Sequence, residues 1–119
     1  MFSREVLDHF KHPRNPGELP GATAVVEVTN PVCADILQLS VRMDAGRVAE
    51  ARFMARGCVT AMACSSLLTE LARGKTRAEL AQITPDQISA ALGGLPAATF
   101  HGAQLACDAI AELLAKLRN

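Results

Sequence analysis

The sequence predicts an α+β domain of two layers, a three-stranded antiparallel sheet packed by helices. Three observations carry that expectation. Three stretches of the first half show the β-branched content or two-residue alternation of strands, and the last two flank Asp44-Ala45-Gly46, a hairpin loop whose glycine supplies positive φ. The second and third stretches each have one apolar and one polar face, which suits an antiparallel sheet covered by helices on one side. From residue 59 onward apolar residues recur at the three- and four-residue spacing of helices. The chain of 119 residues is half hydrophobic, enough for one core, and the expected organisation is a single domain over 1–119.

Taken in order, Ser3 is placed to cap a first helix over 4–11, with Val6, Leu7 and Phe10 as its apolar stripe. Pro13, Pro16, Gly17, Pro20 and Gly21 make 12–22 irregular. A first strand is expected over 24–29 and is broken by Asn30-Pro31. The second, 36–43, sets Leu37, Leu39, Val41 and Met43 against Gln38, Ser40 and Arg42. The third, 47–56, places Ala49, Ala51, Phe53 and Ala55 on one face. A helix over 59–73 stops at Gly74, a residue suited to the left-handed position after a helix. Thr76-Arg77-Ala78-Glu79 has the capping-box pattern of a short helix. Thr84-Pro85-Asp86-Gln87 starts another, which ends before Gly93-Gly94. The last helix, 102–117, carries the stripe Ala103, Ala106, Cys107, Ile110, Leu113, Leu114 and Leu117. No internal repeat or low-complexity segment interrupts this order.

Twelve basic and twelve acidic residues cancel, and no basic run is present, so neither nucleic acid nor an anionic membrane surface is an expected partner. The absence of Trp and Tyr argues against base-stacking platforms. No apolar run reaches membrane-spanning length, and Met1-Phe2-Ser3-Arg4-Glu5 lacks a signal-peptide core, so a cytoplasmic location is expected. Thiols stay reduced there, and the four cysteines are read as metal ligands, nucleophiles or buried residues rather than disulfides.

The chemistry gathers around 55–66, where strand periodicity turns into helix periodicity. Gly57 eases the turn, and Cys58 falls at a helix N-terminus, where free N–H groups and the dipole favour the thiolate that binds metal or attacks sulfur. Pro31-Val32-Cys33-Ala34-Asp35 lies in the loop before the second strand, and Phe100-His101-Gly102 opens the last helix. In a two-layer domain these can meet at one edge, although spacing does not require it, and no CxxC or HExxH motif is present. The bland alternatives are a buried Cys58, a turn-capping Asp35 and a helix-capping His101. His9 and His12 read as surface residues, and Arg56 as a solvated strand-end charge. Cys64 and Cys107 lie on apolar stripes, where free cysteine packs as a small hydrophobe. Six residues separate Cys64 from Cys58 and Cys107 from His101, which predicts that the two extra thiols meet beneath the site, buried and reduced.

Asp8-His9-Phe10 followed by His12-Pro13-Arg14-Asn15-Pro16-Gly17, Cys33-Ala34-Asp35, Ala51-Arg52-Phe53 through Gly57-Cys58, Ser65-Ser66-Leu67, Thr69-Glu70, Gly74-Lys75, Leu95-Pro96, His101 and Asp108-Ala109-Ile110 occur in this order. In these residues, over nearly the whole chain, the sequence resembles the IscU/NifU-type iron–sulfur cluster assembly scaffolds. The resemblance implies a cluster site at one tip of the sheet and a ligand set of Cys33, Asp35, Cys58 and His101. Thiolate and imidazole suit both iron–sulfur clusters and zinc, and the harder carboxylate would keep a cluster transferable. Two departures stand out. The family's third cysteine, directly after the histidine, is Gly102 here. The family's chaperone motif is reduced to Leu95-Pro96-Ala97-Ala98-Thr99, which puts recognition by an Hsp70-type chaperone in doubt.

The expected function is a non-enzymatic scaffold that receives sulfur from a cysteine desulfurase, binds iron and sulfide as a transient [2Fe–2S] cluster, and passes it to acceptor apo-proteins. The alternative is a zinc- or iron-binding relative with a regulatory or carrier role that does not assemble clusters. An enzyme using Cys58 as nucleophile ranks last, because only His101 offers a matched base.

Overall fold

The computed structural model describes residues 2–31 and 34–118. Strands β1 (Ala24–Thr29), β2 (Ile36–Asp44) and β3 (Arg47–Arg56) pair antiparallel in the order β1-β2-β3. Helix α1 (Arg4–Lys11) precedes the sheet, and α2 (Val59–Ala72), α3 (Arg77–Leu80), α4 (Pro85–Ala91) and α5 (His101–Leu117) follow it. Ala97–Thr99 form one 3₁₀ turn before α5. None of these helices is long and apolar enough to cross a membrane.

The register explains why one sheet face is the core. Val26 lies opposite Leu39, which lies opposite Phe53, and the flanking rows are Ala24–Val41–Ala51 and Val28–Leu37–Ala55. Leu37, Leu39 and Val41 are wholly buried. One part of the alternation is re-phased. A bulge between Arg42 and Met43 pairs Met43 with Val48, so Val48 is buried where Ala49 was expected and Ala49 is only half-buried. An extra residue on one strand shifts every side chain beyond it to the other face.

Helix α2 packs against α1, α5 and β3 and is buried on most sides. Its buried residues include Ser65, Ser66 and Thr69 beside Ala61, Ala63, Leu67 and Leu68, so its burial needs polar partners as well as apolar packing. Helix α5 lies across β1 and β2. The free edge of β3 is covered by the proline-rich segment, where Phe53 donates to Asn15 and Gly17 donates to Phe53.

Helix α1 corrects two expectations. Val6 is buried, but Phe10 is exposed and His9 takes the inward position. The reason is polar. His9 Nδ1 lies 2.8 Å from Ser66 Oγ on α2, and Nε2 lies 3.4 Å from Glu70. Ser66 Oγ also accepts from the Arg14 amide at 2.8 Å, and Thr69 Oγ1 donates to the Arg14 carbonyl and accepts from the Asn15 side chain. These bonds tie 9–15 to α2, and an imidazole with two partners is tolerated in the interior where a lone one is not. His12 is exposed, as expected.

Candidate metal centre

The site is built where the chain enters β2, leaves β3 and starts α5. Asn30 and Asp35 close the loop before β2 on themselves: the Asn30 amide donates to the Asp35 carbonyl at 2.8 Å, and Ala34 donates back to Asn30 at 2.7 Å, with Ala34 at φ +58°. Ile36 is paired with Arg56, so Asp35 arrives beside the end of β3. There Gly57 turns the chain at φ +150°. A Cβ on Gly57 would sit 2.1 Å from Asp35 Oδ1, closer than any real contact. Glycine therefore does more than ease the turn; it is what allows the carboxylate to approach the backbone.

Cys58 is the N-cap of α2, its Sγ accepting from the Ala61 amide at 3.3 Å. Asp35, only 3% exposed, accepts from the Cys58 amide at 3.3 Å through Oδ1, and its Oδ2 lies 3.7 Å from Cys58 Sγ. His101, the first residue of α5, brings Nε2 to 3.6 Å from Cys58 Sγ and 3.3 Å from Asp35 Oδ2. The ligand atoms of Asp35, Cys58 and His101 all lie within 4.8 Å of one another. Cys58 is exposed, so the cluster of donors opens to solvent.

One sulfur, one imidazole nitrogen and one carboxylate oxygen at this separation fit a tetrahedral ion such as Zn²⁺ with one position left over. They equally present the sulfur and nitrogen donors that iron accepts. Cys33, the fourth expected ligand, lies outside the described residues. Arg56 is exposed at the strand end.

The other two thiols are free as well. Cys64 is wholly buried, and burial first, with charge at Cys58 and Cys107 adding to it, pushes its thiol up to about 12. Cys107 is half-buried, its Sγ donating to the Ile83 carbonyl at 3.7 Å, and burial raises it to about 11. Both are thus held protonated at neutral pH. Sequence reading missed the contact of Gly57 with Asp35 and the close packing at Gly102, where a Cβ would lie 3.2 Å from the Ala61 backbone. The glycines themselves were the signal, since each stands where two chain segments crowd.

Fold and site together define a small α+β domain that presents mixed sulfur, nitrogen and oxygen donors at one end of its sheet. The family model described as "NifU-like N terminal domain" matches residues 1–119. The chain is 43% identical over 110 residues to "Iron-sulfur cluster assembly scaffold protein IscU 1" of Archaeoglobus fulgidus, covering 92% of this chain and 72% of that protein. It is 38% identical over 118 residues to "Iron-sulfur cluster assembly scaffold protein IscU" of Haemophilus influenzae, covering 96% and 93%. Its fold is similar to that of a nitrogen-fixing NifU-like protein (N-terminal) from Brucella abortus, with a TM-score of 0.76 at 20% identity over 97% of this chain and 92% of that one. The chain belongs to the NifU-like N-terminal domain family.

Proposed function

We propose that this protein is an iron–sulfur cluster assembly scaffold. It binds iron and sulfide as a transient [2Fe–2S] cluster through Cys33, Asp35, Cys58 and His101, takes its sulfur from a cysteine desulfurase, and hands the cluster to acceptor apo-proteins in the cytoplasm. The observation that carries this reading is the convergence of Asp35, Cys58 and His101 from three separate chain segments on one solvent-open point. The names of the relatives from Archaeoglobus fulgidus and Haemophilus influenzae support it.

The roles divide by chemistry. Cys58 is the accessible sulfur, able to receive sulfur from a donor protein and to bind iron. His101 is the nitrogen donor. Asp35 is the hard oxygen donor, held in place by the Cys58 amide, and the weakest partner for a thiophilic load. The chain itself catalyses no bond-breaking step in this reading. Anaerobic reconstitution with ferrous iron and sulfide tests it. A brown protein with matching iron and acid-labile sulfide is expected, and Cys58→Ser should abolish the colour.

Gly102 favours one competing reading, a zinc carrier or regulator, because a thiol is missing where the relatives' family places one. A colourless protein that retains zinc and refuses iron and sulfide would decide for it.

A further inference from the structure

The two edges of the sheet are finished differently. Along β3, Asn15 and Gly17 bond to Phe53. Along β1, no further strand pairs among the described residues. In an antiparallel pair, alternate residues turn both main-chain groups toward the partner, and the residues between turn them away. The Asn30 amide donates to the Asp35 carbonyl just past β1, so Ala24, Val26 and Val28, which share its phase, face β2. Val25, Glu27 and Thr29 therefore turn their N–H and C=O outward. The Val25 carbonyl agrees with this phase, since it accepts from Lys116 Nζ of α5 at 2.7 Å. Among the described residues, no protein group bonds to the outward N–H and C=O of Glu27 and Thr29. Such a row is a template for another strand.

A groove runs along this edge, with α5 as its wall. Glu27 and Glu112 line its length, Val25 and Lys116 border one end, and Thr29 and Asp108 the other. Glu27, Asp108 and Glu112 are exposed, and none is in an ion pair among the described residues. Asp108 and Glu112 are about one helical turn apart, which puts both on the same side of α5.

We propose that the edge of β1 docks an extended, lysine- or arginine-bearing segment of a partner protein, which adds a fourth strand to the sheet. The main chain of that segment bonds to Glu27 and Thr29. Its basic side chains meet Glu27 on the outer face and Asp108 and Glu112 on the face toward α5. Main-chain bonding supplies affinity, and the carboxylates select positive charge. The same carboxylates disfavour a second copy of this chain, because β1 against β1 would bring two acidic grooves together. Thr29 pairs with Ile36, so a seated segment ends beside the loop that carries Asp35. The inference does not depend on what the donor cluster binds.

The test titrates the isotopically labelled full chain with the acetylated, amidated peptide Lys-Val-Lys-Val-Lys-Val-Lys, followed by NMR. The Glu27 and Thr29 amide signals should move most, and their hydrogen exchange should slow on binding. A fully N-methylated peptide keeps the charge but cannot pair, and should bind about tenfold more weakly. Glu27→Lys should weaken the parent peptide about tenfold. Glu18→Lys, beside the opposite edge of the sheet, changes net charge equally and should leave binding unchanged. If the N-methylated peptide binds as well as its parent, the attraction is charge alone and the proposal fails. It fails too if no peptide binds, or if the signals that move lie elsewhere. Protection of the Glu27 and Thr29 amides in a self-associated chain without peptide would make a second copy the occupant and overturn it. If Glu27→Lys does not fold, the N-methylated peptide on the wild type decides.

Discussion

Cys58 serves two masters, since its sulfur both caps α2 and belongs to the donor cluster. Serine is a much better N-cap than cysteine, with caps contributing ~1 kcal/mol. Cys58→Ser should therefore hold or raise the thermal midpoint while abolishing binding of zinc. A calorimetric titration beside a melting curve checks both halves, and a loss of stability would show that the sulfur's packing outweighs its capping. Gly57 makes the opposite case. Gly57→Ala would drive a methyl to 2.1 Å from Asp35 Oδ1 and place an L-residue at φ +150°. Strain and the displaced carboxylate together should cost about 1–3 kcal/mol. Zinc affinity should fall at least tenfold, because Asp35 can no longer approach Cys58. Asp35→Asn in the same assay separates the two effects, since it weakens binding without the backbone strain.

At the scale of elements, α2 is clamped by the segment before the sheet. His9 is the pivot, with Nδ1 on the Ser66 hydroxyl and Nε2 toward Glu70. Burial is the main cause that holds its pKa below the ordinary 6.5, and the Arg14 charge adds to it, while Glu70 and Asp8 pull the other way. A depressed folded-state value means that the unfolded chain binds the proton first. The clamp's contribution is thus fully present above pH ~6.5 and is lost as pH falls toward the lower folded-state value. His9→Asn keeps an amide near the place of Nδ1 and removes the titration. Urea unfolding from neutral to mildly acidic pH should show the wild type's advantage over His9→Asn shrinking as pH falls. An advantage that is flat with pH would mean that the imidazole is not the pivot. The same clamp explains a misplaced stripe: Phe10 is more apolar than His9, but only His9 has partners on α2.

For the whole molecule, the site is a tie between distant parts of the chain. Asp35 enters from the sheet, Cys58 from the start of α2, and His101 from the start of α5. An ion bound there and not by the unfolded chain stabilises by mass action, ~2.7 kcal/mol at a hundredfold excess over Kd. Zinc should raise the melting temperature in a concentration-dependent way, and a chelator should return it to the metal-free value. Removing any one of the three donors should flatten that dependence. If Cys107→Ser flattened it as well, the response would come from scattered thiol binding rather than from this site.

The alternating strands, the capping boxes at Thr76 and Thr84, and the residues that start each helix were legible without a structure, because local periodicity and turn chemistry dictate them. The ligand types of the site were legible for the same reason: few side chains offer sulfur or imidazole. Three things were decided only by tertiary contact. The bulge at Met43 set which of Val48 and Ala49 is buried, since register depends on the partner strand. The partners of His9 lie 57 and 61 residues away in sequence, beyond any local pattern. The crossing of α2 and α5 at Gly102 is close enough that a Cβ there would lie 3.2 Å from the Ala61 backbone and 3.3 Å from Cys64 Sγ. Periodicity shows which face of an element is apolar; only packing shows which atoms meet across it, and the chemistry of this site depends on those meetings.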